Sequence, residues 1–379
     1  MADFDLSNFK INVPQVAIED YSFVIAGIPK VGKTALFASL IKLYFGDITK
    51  GLLLAFEKGY TALQVVPQDI NDFDDFEEAV DQLVEKKEEL PFKIIGIDTG
   101  DLCWDWACDA VIKEWNIKNP TKRTADISGV GAKGKSDQGF GVGYQRAKQK
   151  IRTQINRLMK AGYGVWVLTH SKDKEVEQRD GQKFDQLIVS MPSSAREIFI
   201  NMADFIIFIT AEKEKDKDTG DTVSKRYMYF RTDGYVEAGG RFTKVPERIE
   251  YNVNEFIEVF KQAVRAELEQ LDKDIDEIAE EQQEEKSIKT KTYLEEQKKI
   301  KNNETTDSDT TTNKEKEDAE YTLEEMLTQL ETKAKELRVK KVKPIDIKKA
   351  MNNNRNFDFV KDLDTAKQVM ENLIALEQE

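Results

Sequence analysis

Apolar and polar positions follow two periods along the first two thirds of the chain. Near-continuous apolar runs of strand length occupy residues 22–26, 51–56, 93–98, 165–170, 205–210 and 224–231. Such runs suit strands buried on both faces. Helical spacing of apolar positions fills several of the gaps, notably 33–43, 73–88 and 144–160. Strands alternating with helices predict an α/β fold whose mostly parallel central sheet is flanked by helices. Asp233 and Gly234 stand between two β-rich runs and predict a hairpin turn.

From Phe256 the period becomes helical: Phe256, Phe260, Val264, Leu268, Leu271, Ile275 and Ile278 recur every three or four residues among acids and lysines. This predicts one long helix, either a short coiled coil between subunits or a helix packed on the core at its start and solvated beyond. A stripe of little more than three heptads favours the second. Residues 301–320 contain a single apolar residue, Ala319, and read as a disordered linker. Spaced leucines and isoleucines after it suggest a small helical domain that carries no recognisable chemistry. The expected division is a core over 1–260, a charged helix over 261–300, the linker over 301–320 and the small domain over 321–379.

Composition narrows the function. Of 379 residues 40% are apolar, enough for a sizeable core, and 34% are charged, with a net charge of −14. That balance argues against a nucleic-acid coat over the whole surface but not against a local basic groove. Two cysteines, Cys103 and Cys108, exclude a disulfide framework, and a single histidine, His170, excludes multi-histidine metal sites. No apolar run approaches the ~18 residues that cross a bilayer, and the N-terminus lacks a secretory pattern. A cytoplasmic protein is expected, without a membrane partner.

One motif is complete. Gly27-Ile28-Pro29-Lys30-Val31-Gly32-Lys33-Thr34 fits the phosphate-loop pattern, with a strand before it and a helix, entered through Ala35, after it. Glycines let successive backbone N–H groups turn toward phosphates, and the helix N-terminus adds its positive end. Lys33 reaches the β- and γ-phosphates, and the Thr34 hydroxyl ligates Mg²⁺. A second apolar run ends in Asp98, placed to hold the same ion through water, with Asp101 a further carboxylate for that neighbourhood. Glu57 follows the 51–56 run; it is either the base that activates water or a turn carboxylate facing solvent.

Phosphate loop, strand with Glu57, strand with Asp98: in this order the chain resembles RecA-like ATPases, over about residues 13–259. The resemblance implies that Glu57 is the hydrolytic base. AAA+ proteins carry that glutamate directly after the metal aspartate, where Thr99 stands here, which sets the chain apart from them. His170 occupies the strand tip from which such proteins sense the γ-phosphate. The Gly-rich stretch 127–144, with Lys133 and Lys135, resembles their first DNA-binding loop, and 172–196, with Lys172 and Lys174, matches the position of the second. Arg231, beside the expected hairpin, resembles the finger that completes a neighbouring subunit's site. Relatives often have a lysine two positions earlier; Tyr229 stands there, with Lys225 and Arg226 close by. The overall plan looks most like phage-encoded minimal RecA-core proteins, including the Sak-type single-strand annealing ATPases.

Charge supports a groove independently. Residues 122–160, including Arg146 and Lys148, hold ten Lys or Arg against two acids, a net of +8, whereas residues 51–100 carry −8. A flexible basic segment can track single-strand phosphates, with Phe140, Tyr144 and Phe184 as stacking faces; otherwise it is a surface loop before an ordinary basic helix face. The expected protein binds ATP and Mg²⁺ and acts on single-stranded DNA in phage recombination or replication, in the host cytoplasm. It does so as a homo-oligomeric ring or filament beside a single-strand-binding protein. The alternatives are a ring motor, helicase or helicase loader, and a non-catalytic nucleotide-dependent scaffold.

Overall fold

The computed structural model describes residues 11–131, 141–177, 181–215, 221–269 and 275–308, together with 330, 365, 369, 370, 372 and 373. Strands β1 (Phe23–Gly27), β2 (Gly51–Ala55), β3 (Val66–Asp69), β4 (Ile94–Asp98), β5 (Gly164–Glu177), β6 (Lys183–Val189), β7 (Phe205–Lys215), β8 (Thr222–Tyr229), β9 (Gly239–Gly240) and β10 (Arg248–Glu250) are described. Helices α1 (Lys33–Phe45), α2 (Phe73–Glu85), α3 (Gly100–Lys118), α4 (Val142–Lys160), α5 (Ser193–Met202), α6 (Val253–Leu268) and α7 (Ile275–Ser308) surround them. The sheet order is β10-β8-β7-β1-β5-β4-β2-β3, with β9 on β7 and β6 on β5. From β7 to β3 every neighbour is parallel; β8 and β10 are antiparallel. The fold is the expected α/β plan, a mostly parallel central sheet flanked by helices.

Alternation along the strands builds two cores. Val24, Ala26, Leu54, Ile95, Ile97 and Val167 face one side, under α2 to α5. Phe23, Ile25, Leu53, Ile94, Trp166 and Leu168 face the other, under α1 and α6. The central strands β1, β2 and β4 are buried on both faces, which is why their sequence reads as unbroken apolar runs. Cys103 and Cys108 are buried, unpaired core residues, and among the described residues no helix is long and apolar enough to cross a membrane.

Three expectations change. The helical stripe from Phe256 is described as two helices, α6 and α7, rather than one. Asn252 caps α6 by accepting from the N–H groups of Asn254 and Glu255, and Phe256, Phe260, Val264 and Leu268 are buried. Helix α7 also packs on the core: Ile278 and Leu294 are buried, and the Gln282 amide donates to the Pro14 carbonyl and accepts from the Val16 N–H, both at 2.9 Å. It runs to Ser308, so the first residues of the linker-like stretch are helical.

Second, Asp233 and Gly234 do not join two paired strands. The hairpin lies earlier, between β7 and β8. Asp233 instead caps the N–H groups of Tyr235 and Val236, and Val236 bridges to Leu187. Arg231 therefore sits past the end of β8, not on a hairpin strand. Third, much of the stretch 172–196 is strand and helix rather than loop: β5 continues beyond His170 to Glu177 and pairs antiparallel with β6, and α5 starts at Ser193. The edge strand β3 carries Pro67, which an edge tolerates and which hid the strand in the sequence.

By internal contacts the chain separates into residues 1–305 and 306–379. Of the second unit, Leu330, Val369 and Leu373 are buried.

Candidate nucleotide site

β1 delivers the chain into the phosphate loop, and α1 takes it out. Between them Lys30 (φ 65°) and Gly32 (φ 116°) adopt left-handed backbone, which curls the loop and leaves the first N–H groups of α1 without helical partners. Ile28, Pro29 and Lys30 are exposed along its rim, while Val31 folds inward against Gly27; Gly32 and Ala35 are half-buried. The buried Lys33 ammonium donates to the Gly27 carbonyl at 3.0 Å and the Ile28 carbonyl at 3.3 Å, leaving one of its three protons for a ligand. Burial lowers its pKa, opposed by the charges of Asp98, Glu57 and Asp101.

Helix α1 comes close enough for a metal site because β4 has no side chain in the way. A Cβ on Gly96 would stand 2.9 Å from the Phe37 ring. With Phe37 seated there, Thr34, one turn earlier, reaches the tip of β4 and donates to Asp98 Oδ2 at 2.7 Å. Asp98 Oδ1 is buried with no hydrogen-bond partner. Burial raises the carboxyl to a pKa of about 6, against the Thr34 hydrogen bond; Glu57 adds to the rise, and Lys33 and His170 oppose it. An orphaned carboxylate oxygen beside a hydroxyl is a donor set that a divalent cation satisfies, so the residues fit Mg²⁺.

Glu57 lies just past β2, with the N–H groups of Phe56 and Glu57 both bonded to the Asp98 carbonyl. A methyl on Gly59 would lie 3.9 Å from both Glu57 Oε1 and Thr34 Oγ1, so the exposed carboxylate flanks the metal side of the site. His170 is paired in register with Gly27 and is hydrogen-bonded to Asp101, whose charge also acts on Lys33. Lys33, Thr34, Glu57, Asp98 and His170 are brought together from four strand ends. Arg231 is not among them: it is exposed and donates to the Thr243 carbonyl.

Two residues hold the loop from outside: Tyr251, which the sequence reading missed, and Arg226, which it noted only near Arg231. The Arg226 guanidinium donates to the Val31 carbonyl at 3.0 Å, the Tyr251 hydroxyl to the Gly32 carbonyl at 3.0 Å, and Arg226 lies 4.2 Å from the Tyr251 ring centroid. Alternation on β8 places Arg226 on the same face as the buried Met228, toward α1. The pair braces the loop from outside. Arg226→Ala is expected to weaken ATP affinity about 10-fold, the scale of one hydrogen bond from a charged donor; calorimetry showing an unchanged Kd would remove the brace from the site.

Part of the basic segment is paired with acids within the fold. Lys148 pairs with Glu197, Lys150 with Glu77 and Glu114, and Arg157 with Asp81. The acidic and basic stretches of the sequence thus meet where α4 packs on α2, while Lys122, Arg123, Arg152 and Lys160 stay exposed. Arg146 stays exposed over Trp115, and Lys172 and Lys174 are exposed on the extension of β5. Tyr144 packs on the core and Phe184 against Tyr235. Lys133, Lys135 and Phe140 lie outside the described residues.

A family model described as an AAA domain matches residues 19–242. Among solved structures, a KaiC-like protein from the hyperthermophilic archaeon Pyrococcus horikoshii shares 12% identity, over 62% of this chain and 90% of that one, with a TM-score of 0.32. A superposition that loose supports no inference, and no curated protein matches the sequence. The AAA assignment corrects the separation drawn from Thr99, although Thr99 itself is buried and brings no carboxylate there. Since the family model spans more than half of the chain, the protein belongs to the AAA domain family and is a P-loop NTPase by its loop.

Proposed function

We propose that the protein binds and hydrolyses ATP with Mg²⁺ and couples this cycle to single-stranded DNA in phage recombination or replication. The observation that carries the ATPase part is the Thr34–Asp98 hydrogen bond at 2.7 Å with the second Asp98 oxygen unpartnered. Thr34 and Asp98 would hold the metal, whose charge offsets that of the β- and γ-phosphates. The loop N–H groups and Lys33 hold the phosphates and fix their orientation. Glu57 accepts the proton of the attacking water. His170 meets the γ-phosphate from the tip of β5. Arg231, exposed past β8, reaches the site of a neighbouring copy, which makes a homo-oligomeric ring or filament the working form.

The DNA part rests on the resemblance to RecA-like recombination proteins and on the exposed Arg146, Lys172 and Lys174. Binding through such phosphate contacts is salt-sensitive. ATP turnover with and without single-stranded DNA, together with unwinding of a forked duplex, tests the proposal. Turnover that rises with single strands and brings no unwinding is expected. Unwinding identifies a ring motor, and absence of turnover identifies a nucleotide-dependent scaffold.

A further inference from the structure

Asp101 was placed by sequence near the metal, yet its side chain is committed elsewhere. Helix α3 starts at Gly100, where a Cβ would meet Val167 Cγ1 at 2.5 Å and Met191 Cε at 2.7 Å. Only a glycine lets the helix start this close to β5, and the next residue, Asp101, is thereby set at the strand's tip. There Asp101 Oδ2 stands 2.8 Å from His170 Nδ1, and Oδ1 accepts from the Thr169 hydroxyl at 3.3 Å. Two successive β5 residues hold one carboxylate. The His170 backbone is fixed too, its carbonyl accepting from the Ser190 N–H at 2.7 Å.

We propose that Asp101 is a positioning residue that fixes the tautomer and orientation of His170 toward the nucleotide. An ionised carboxylate only accepts hydrogen bonds, so His170 Nδ1 carries a proton and Nε2 is the nitrogen left for a ligand. The ring stands one strand from the start of the phosphate loop, through the Gly27–His170 register. With Nδ1 held, the ring cannot turn over and present the wrong nitrogen. Asp101 acts through His170 and does not itself touch the nucleotide. The inference rests on the reading that His170 meets the γ-phosphate.

His170 is the only histidine in the chain, so ¹⁵N-histidine labelling of the full-length protein gives a single imidazole to read. Spectra recorded at about pH 9, well above the ordinary histidine range, are expected to show the Nδ1–H tautomer in the unmodified protein. Asp101→Ala is expected to shift the ring toward Nε2–H and to slow ATP turnover about 10- to 100-fold, the usual cost of losing an orienting partner, with unchanged thermal melting. Asp101→Glu should restore part of both. In a His170→Ala background, Asp101→Ala should cause no further loss. An Nε2–H tautomer in the unmodified protein, or equal losses in the two backgrounds, overturns the proposal. Normal turnover in His170→Ala alone overturns the sensor reading, and the proposal with it, whatever the tautomer.

Discussion

Replacing Lys33 with Met is expected to end ATP turnover while leaving the fold intact. The ammonium is buried and its pKa is lowered chiefly by that burial, so the folded protein bears a desolvation cost to keep a cation there. Its hydrogen bonds to the Gly27 and Ile28 carbonyls are only a partial return. The charges of Asp98, Glu57 and Asp101 return a further part, and the charge of a triphosphate would supply the rest. Met keeps the aliphatic stem against the loop and removes the charge, so thermal melting should hold or rise slightly. Turnover should fall at least ~10²-fold, the scale of losing a preorganised electrostatic contact to the transition state. Normal turnover in Lys33→Met would remove the phosphate loop from the chemistry.

Glu57→Gln should separate binding from hydrolysis. The side chain is exposed and its backbone is anchored on the Asp98 carbonyl, so the fold does not depend on its charge, and losing that charge relieves Asp98 rather than weakening it. Gln keeps the shape and loses the proton acceptor. Calorimetry should give an ATP Kd within a few-fold of the unmodified protein, and turnover should drop by roughly 10²- to 10⁴-fold, the range for removing a general base. If the variant hydrolyses ATP normally, Glu57 is the turn carboxylate of the other reading and the base lies elsewhere.

The nucleotide site was legible in the sequence as far as its parts are contiguous. A phosphate loop is one stretch of backbone whose glycines, lysine and threonine work through local geometry, and Asp98 announces itself by ending an apolar run. The distribution of basic charge was not legible in the same way. Counting charge along 122–160 treated each lysine as free, but Lys148, Lys150 and Arg157 find acids on α5, α2 and α3. Similarly, the polar residues after His170 looked like loop because cross-strand pairing with β6 leaves little mark on a solvated hairpin.

The amino-acid order by itself determined the alternation of buried strands and helices, the curl of the phosphate loop and the acid at the tip of β4, because burial pattern and backbone preference act over a few residues. Tertiary structure decided which distant groups meet: Arg226 with the Val31 carbonyl, Asp101 with His170, and the acids of α2 with the cations of α4. Those meetings depend on strand register and on close approach at Gly96 and Gly100. A one-residue slip in register would turn each strand side chain to the opposite face.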